Sequence, residues 1–167
     1  KHVIAKLYEA SCAGVKIELI IRGICVLRPG IKNVSENITV RSIVGRFLEH
    51  SRIFWFRNGG REELYISSAD WMPRNLNDRV ELMVPIEDPE IKRRLKQMVD
   101  IELSDNQKAH IMQADGTWLK TISAENQLCA QEYFQKIAEK RDAEDEMTLA
   151  QKLEPYTPVL GHGDGSD

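Results

Sequence analysis

The chain has 167 residues, of which 42% are hydrophobic and 29% charged, and its formal net charge is −3. That length suits one domain that can bury a core without disulfides or a structural metal. The charged fraction and the 7% aromatic content exclude a collagen-like or wholly disordered chain. Because no apolar run approaches the roughly 18 residues of a membrane span, we expect a soluble protein.

The three cysteines and the first residue indicate the compartment and the origin of the chain. Cys12, Cys25 and Cys129 are widely spaced and match neither a disulfide framework nor a CxxC metal site, which favours reduced cysteines in a cytoplasmic protein. The sequence begins at Lys1 instead of Met, and its first predicted helix has no N-cap. We therefore expect a fragment of a longer chain.

The net charge conceals a polarity along the chain. Residues 16–80 hold 11 Lys and Arg against 7 Asp and Glu, whereas residues 81–167 hold 10 against 18. Nine of the twelve arginines lie in the basic segment. The rigid guanidinium fork fits phosphate and carboxylate oxygens, so the segment indicates an anionic ligand, although most of these arginines individually are expected to be solvated surface charges.

The first third of the chain alternates between predicted helix and strand. Turn residues and hydrophobic periodicity set the boundaries. The predicted elements are a helix at 2–12, a strand at 15–21 with an extension at 24–27, a loop at 31–37, a strand at 38–44 and a helical turn at 45–49.

The remainder adds a hairpin, two longer helices and a tail. Asn58-Gly59 between two apolar runs predicts a hairpin, and Asp88 before Pro89 predicts a capped helix start. The predicted elements are hairpin strands at 52–56 and 64–67, a strand at 80–86, a helix from 89, a strand at 110–113, a helix capped by Ser123 and running to 141, and a mobile tail at 142–167. The fold class is α/β, with a mixed sheet flanked by helices in one domain at 1–141.

Few residues are candidates for chemistry. Walker, GxGxxG, HExxH and GxSxG motifs are absent, and His2, His110 and His162 stand alone, which favours structural or solvated roles. His50 differs because it lies at a predicted helix-to-strand junction between Arg46 and Arg52. A histidine among arginines is an unusual placement unless a phosphate arrives to balance the charge.

A second cluster follows the predicted strand at 64–67. That strand ends in Ser67 and Ser68, and Arg74 and Asn75 follow within a turn. Strand ends of α/β sheets are common ligand sites, and hydroxyl, guanidinium and amide donors suit an oxyanion. A hairpin with surface arginines remains the alternative.

Three ordered segments carry a family resemblance. IRGIC at 21–25, FLEHSR at 47–52 and YISSADWMPRN at 65–75 closely resemble the C-terminal part of the bacterial polyphosphate kinase family. The resemblance covers roughly residues 1–140, in the family's order. The tail after Arg141 carries none.

The resemblance implies a fold and an activity. Members of this family reversibly move the terminal phosphate of ATP onto polyphosphate through a phosphohistidine, with magnesium. Two phospholipase D-like C-terminal domains each supply one histidine to a shared site. The phosphorylated histidine lies in a His-Pro-Tyr context in the preceding domain, and this chain has no His-Pro pair. Residues 1–141 therefore resemble the last catalytic domain, which is expected to be inactive alone.

The same resemblance implies cofactors and partners. ATP or ADP and polyphosphate are the expected substrates, and the Mg²⁺ ligands are expected in the missing preceding domain, with none in this fragment. The expected partners are the neighbouring domains of the parent chain and further copies in a homo-oligomer, with no specific nucleic acid. The expected location is cytoplasmic, with a peripheral position at the inner membrane as a further option.

Individual site residues follow from the matching motifs. Arg22 and His50 match the family's nucleotide and phosphate contacts, with His50 as the catalytic residue, and Arg79 resembles a further phosphate contact. The phospholipase D signature is His-x-Lys, and this chain departs from it with Arg52 at the third position. We also expect the Glu81 carboxylate to orient His50. The expected supporting residues are Arg52, Ser67, Ser68, Arg74, Asn75 and Glu81.

Two other functions are compatible with the residues. A phospholipase D-like hydrolase or nuclease half-site would need a second His-x-Lys motif, supplied by dimerisation. A non-catalytic module that binds polyanions would use the basic segment alone.

Overall fold

The computed structural model describes residues 1–152, with side chains described as far as residue 142. The chain divides into two units, Lys1–Gln131 and Glu132–Asp167. All the strands lie in the first unit, and the described part of the second continues the last helix. The predicted mobile tail lies outside the described residues from 153 onward, and the backbone of residues 142–152 is helical.

Four helices and seven strands make up the described chain. In chain order they are α1 (His2–Cys12), β1 (Ile17–Ile20), β2 (Ile38–Ile43), β3 (Ile53–Phe56), β4 (Glu63–Ser67), α2 (Pro73–Asp78), β5 (Met83–Pro85), α3 (Pro89–Ser104), β6 (Ala109–Met112), β7 (Trp118–Lys120) and α4 (Ala130–Lys152). None of the helices described is both long and apolar enough to cross a lipid bilayer.

The strands form two sheets, whereas the sequence predicted one. The first has the order β1-β2-β6-β7, with β1 parallel to β2 and the other pairs antiparallel, which confirms a mixed sheet. The second has the order β3-β4-β5 and is antiparallel. The buried core under the first sheet is small. It consists of Leu27, Ile38, Val40 and Met112, against which Ile4, Leu7 and Tyr8 of α1 pack.

Local sequence signals predicted several elements correctly. Helix α1 has the predicted bounds. The Asp88 side chain accepts a hydrogen bond from the Ile91 N–H, so it caps α3 as predicted, with Pro89 in the first turn. The predicted hairpin is β3–β4, and its connection uses left-handed backbone at Asn58, Gly59 and Gly60.

Other predictions were wrong in extent or were missed. Residues 24–27 are not a strand, and the strand predicted at 80–86 is confined to β5. Helix α2 begins with Pro73 at a position read as a simple turn, and β7 follows the recognised turn at Gly116 but was not predicted.

The predicted helical turn at 45–49 does not form. The Phe47 N–H donates to the Gln131 side chain, and the Phe47 carbonyl accepts from the same carboxamide. A helix would need those backbone groups for its own i to i−4 hydrogen bonds. A side chain from 84 positions along the chain therefore replaces the local structure.

The predicted helix from Ser123 was also wrong at its start, because α4 begins at Ala130. Asn126 has a positive φ of 49°, which interrupts a helix. Asn106 holds this segment instead: its side chain accepts from the Leu128 N–H and donates to the Asn126 carbonyl. The Ser123 hydroxyl accepts from Glu125 within a local turn.

The Asp105 carboxylate joins three elements. Its side chain is 2% exposed. One oxygen accepts from the N–H groups of Gln107, Lys108 and Ala109, at the start of β6, and the other accepts from Ala130, the first residue of α4. Arg41 of β2 donates to the Asp105 carbonyl at 3.3 Å. One buried carboxylate thus fixes the end of α3, the start of β6 and the start of α4.

Glu102 is a partly buried acid in the last turn of α3. Burial, with a smaller contribution from the nearby Glu49 carboxylate, raises the pKa of Glu102 from 4.5 to about 7. The folded protein therefore retains this proton between about pH 4.5 and 7, whereas the unfolded chain releases it. Folding stability from this group consequently falls as the pH rises through that interval and stays low above it.

We expect Asp105→Ala to lower the free energy of unfolding by about 2–4 kcal/mol, because it leaves buried N–H groups without acceptors. Urea unfolding of the chain at pH 7, followed by circular dichroism, measures the change. Asp100→Ala, which replaces an exposed aspartate in α3, is the matched control. Equal stability of the two variants would contradict the role of Asp105.

We expect Glu102→Gln to stabilise the chain by about 1–3 kcal/mol at pH 8, with the gain disappearing towards pH 4.5, because glutamine cannot ionise. Urea unfolding at several pH values measures the difference. The exposed Glu125→Gln variant should follow the wild-type curve. A gain that is independent of pH would show that the Glu102 carboxyl is not its source.

Candidate functional site

A cavity of about 420 Å³ lies beside the first residues of β3. His50, Arg52, Ser67 and Ser68 line its polar part, and the apolar part includes Leu95 of α3. The structure therefore brings together four residues that the sequence singled out. Because β3 and β4 are antiparallel partners, the first residues of β3 lie beside the last residues of β4, at the same end of the hairpin.

Arg52 connects an acid to the candidate catalytic histidine. Its Nε and Nη2 atoms each lie 3.0 Å from Asp70 Oδ1. Its Nη1 donates to the His50 carbonyl at 2.7 Å and lies 2.8 Å from His50 Nδ1. The Arg52 side chain is 14% exposed. Held by an ion pair at one end, the guanidinium is a fixed donor to His50 at the other.

This contact favours one tautomer of the His50 ring. A guanidinium can only donate, so the ring nitrogen that it contacts must be an unprotonated acceptor. Nη1 lies 3.3 Å from Nε2 as well, but the 2.8 Å approach to Nδ1 is the better hydrogen bond. The shorter contact favours the neutral tautomer of His50 with its proton on Nε2, the nitrogen that can then donate to a ligand.

The segment before His50 is held by side chains instead of by strand pairing. Arg22 Nη1 donates to the Glu49 carbonyl at 2.6 Å. Gln131 contacts Phe47 and the Glu49 side chain. Arg22 is exposed, and its other guanidinium N–H groups have no protein acceptor within residues 1–142. Arg22 therefore binds the residue that precedes His50, and it retains guanidinium donors that can bind an anion.

Ser67 and Ser68, at the end of β4, form a serine cluster. Glu81 accepts a hydrogen bond from the second of these serines. The Ser68 hydroxyl donates to one oxygen of Glu81, and the buried Asn75 amide donates to the other at 2.9 Å. These two hydrogen bonds, Ser68 first, hold the pKa of Glu81 below its ordinary value. Within the described side chains Glu81 makes no hydrogen bond to His50, so the expected orienting contact is absent and Arg52 takes that position.

The remaining predicted residues differ in their proximity to the site. Arg79 is exposed, and its charge also lowers the pKa of Glu81, so it lies near the serine cluster. Arg74 is exposed and does not line the cavity. Ser67 donates to the Leu82 carbonyl and accepts from the Ala69 N–H, so its hydroxyl is used within the protein.

Sequence reasoning missed two residues near the site. Asp70 lies inside the segment 65–75 that carried the resemblance, yet its partner Arg52 is 18 positions away. Gln131 is 84 positions from Phe47 and belongs to a helix with no recognised motif. No pattern in a single sequence indicates either contact.

The donor set does not fit a divalent cation. Among the side chains the structure describes, no group of three or more His, Cys, Asp and Glu residues converges. Near the cavity, Asp70 is paired with Arg52, and Glu81 accepts from Ser68 and Asn75. Both carboxylates thus neutralise or organise protein groups, and we assign no metal site in these residues.

Comparison with known proteins places the chain in a family. The model of the polyphosphate kinase C-terminal domain 2 family matches residues 1–131. The chain is similar to the polyphosphate kinase of Synechocystis sp., with 55% identity over 142 residues, which are 83% of this chain and 20% of the relative. It is also similar to the Pseudomonas aeruginosa polyphosphate kinase, with 55% identity over 125 residues, 75% of this chain and 18% of the relative.

A solved structure that resembles this chain is also a polyphosphate kinase. The crystal structure of polyphosphate kinase from Porphyromonas gingivalis superposes with a TM-score of 0.80 at 42% identity, and the match covers 86% of this chain and 22% of that one. The chain thus spans about a fifth of the length of the relatives it matches. On this evidence, the chain belongs to the polyphosphate kinase C-terminal domain 2 family.

Proposed function

We propose that this domain supplies nucleotide and phosphate contacts to a polyphosphate kinase, which reversibly transfers the γ-phosphate of ATP to polyphosphate. The observation that carries the proposal is the Asp70–Arg52–His50 arrangement beside a cavity lined by serines. The phosphorylated histidine and the Mg²⁺ ligands belong to the preceding domain, which is absent here. The isolated chain is therefore inactive in phosphoryl transfer.

The chemistry requires positioned donors more than covalent groups. Phosphoryl transfer passes through a loose transition state, so catalysis is mainly positioning and charge stabilisation. His50, with its proton on Nε2, donates to a phosphate oxygen opposite the nucleophilic histidine. Arg22 and Arg79 bind further phosphate oxygens, and they keep these contacts as charge redistributes.

The polar partners of His50 support this role. Arg52 forms an ion pair with Asp70, so its guanidinium presents one donor edge to His50 while its charge is partly balanced. The Ser68–Glu81–Asn75 hydrogen bonds hold Ser68, which also lines the cavity. Arg22 and Arg79 then supply the positive charge that attracts a polyphosphate chain.

The same proposal covers the location and the assembly of the parent enzyme. The parent enzyme is cytoplasmic, with a peripheral position at the inner membrane as a further option, and it is a homo-oligomer. Its binding of polyphosphate weakens steeply with salt, as polyanion binding generally does. Phosphodiester hydrolysis by the isolated chain would instead support a phospholipase D-like half-site.

We expect His50→Ala to lower phosphoryl transfer by the full-length parent at least about 100-fold, because it removes a donor to the transferring phosphate. Incorporation of radiolabelled phosphate from ATP into polyphosphate measures the rate. His2→Ala, an exposed histidine in α1, is the control and should match the wild type. Undiminished transfer by His50→Ala would remove His50 from the mechanism.

We expect Arg52→Lys to lower kcat of the parent about 10–100-fold, because an ammonium cannot bridge Asp70 and both His50 acceptors in one fixed geometry. Asp70→Asn should lower kcat less, and the double variant should resemble Arg52→Lys, since the two residues act in series. Exposed Arg61→Lys is the control. Additive losses in kcat would show that Asp70 does not act through Arg52.

A further inference from the structure

Gln131 makes a two-sided contact with the backbone that precedes His50. Its side chain is 6% exposed. Its Oε1 accepts from the Phe47 N–H at 3.0 Å, and its Nε2 donates to the Phe47 carbonyl at 2.7 Å. The same Nε2 donates to Glu49 Oε1 at 2.6 Å. The carboxamide thus binds Phe47 through both backbone groups, as a neighbouring strand would.

Gly45 leaves the space that this contact needs. A Cβ atom at residue 45 would lie 2.3 Å from Gln131 Oε1 and 2.9 Å from its Cδ, well inside contact distance. Gly45 does not have a positive φ, so the backbone there would accept another residue. An alanine at residue 45 would therefore displace the Gln131 carboxamide without straining the backbone.

Both ends of the contact are anchored. Ala130, next to Gln131, donates its N–H to the buried Asp105 carboxylate, which holds the start of α4 in place. At the other end, Arg22 donates to the Glu49 carbonyl. His50 is the next residue, and Arg52 contacts both its carbonyl and its ring. A displacement of residues 47–49 would therefore move Arg22 and His50 together.

We propose that Gln131 is a positioning residue, which sets the place of His50 by fixing the backbone of residues 45–49. The proposal rests on the function proposed above. Gln131 does not line the cavity and acts only through Phe47 and Glu49. The strands on either side end at Ile43 and begin again at Ile53, so this carboxamide supplies what strand pairing does not.

The test uses the full-length parent enzyme. Gln131→Met keeps the length of the side chain and removes its hydrogen bonds. We expect kcat for phosphate transfer to fall about 10–100-fold while KM for ATP changes less than about threefold, since a displacement near 1 Å costs rates of that order. Exposed Gln127→Met is the matched control and should behave as the wild type. A kcat equal to that of Gln127→Met would overturn the proposal.

A second variant gives a pH signature that is measured against Gln131→Met, so that the titration of Glu102, which lies near Glu49, is common to both variants. In Gln131→Glu the ionised side chain can accept from the Phe47 N–H but faces the Phe47 carbonyl and the Glu49 carboxylate without a donor. When protonated, it can donate again. We expect the kcat of Gln131→Glu, relative to that of Gln131→Met, to rise as the pH is lowered. A relative kcat that stays constant with pH would count against the role of the Nε2 donor.

The third test couples the two sides of the contact. Gly45→Ala alone should lower kcat because its Cβ displaces the carboxamide, whereas adding Gly45→Ala to Gln131→Ala should cost little more than Gln131→Ala alone. Additive effects would contradict the contact.

His50→Ala separates the two proposals. If that variant loses transfer and Gln131→Met does not, the positioning role fails and the proposed function stands. Full activity of His50→Ala would remove the proposed function itself.

Discussion

The buried carboxylate of Asp105 is the constraint on which the rest of this domain depends. It accepts four backbone N–H groups from the start of β6 and the start of α4, so three elements converge on one side chain. Unsatisfied donors in the interior are costly, and a carboxylate that accepts several of them is a strong local organiser. The main hydrophobic cluster contains only four buried side chains. The hydrogen bonds of Asp105 therefore matter more for the stability of this domain than they would beside a larger core.

The position of the site follows from that centre through successive contacts. Asp105 fixes Ala130, and the next residue, Gln131, holds Phe47 and Glu49. Arg22 binds the Glu49 carbonyl, and His50 comes next in the chain. The non-covalent steps are hydrogen bonds that involve backbone groups, with one further hydrogen bond to the Glu49 carboxylate, so the geometry is more rigid than exposed ion pairs would make it. The candidate catalytic residue is thus located by groups far from it in sequence.

Local chemistry explains what the sequence predicted well. Asp88 before Pro89 and Asn58-Gly59 between apolar runs act over a few residues, and the structure has both features. The failures share a cause. Residues 45–49 and 123–129 have local helical tendencies that side chains from elsewhere override, through Gln131 and Asn106. The Glu81 carboxylate was assigned to His50, but nearer hydroxyl and amide donors bind it. A single sequence contains no signal for contacts of such separation.

The departure from the His-x-Lys signature has a physical explanation in the same contacts. Arg52 binds Asp70 through Nε and Nη2, and at the same time donates from Nη1 to the carbonyl and ring of His50. A lysine has one nitrogen and cannot reach acceptors on both sides in a fixed plane. With Asp70 present, the Arg52 guanidinium bridges the Asp70 carboxylate and His50. Asp70, Arg52 and His50 are therefore joined by one continuous set of polar contacts.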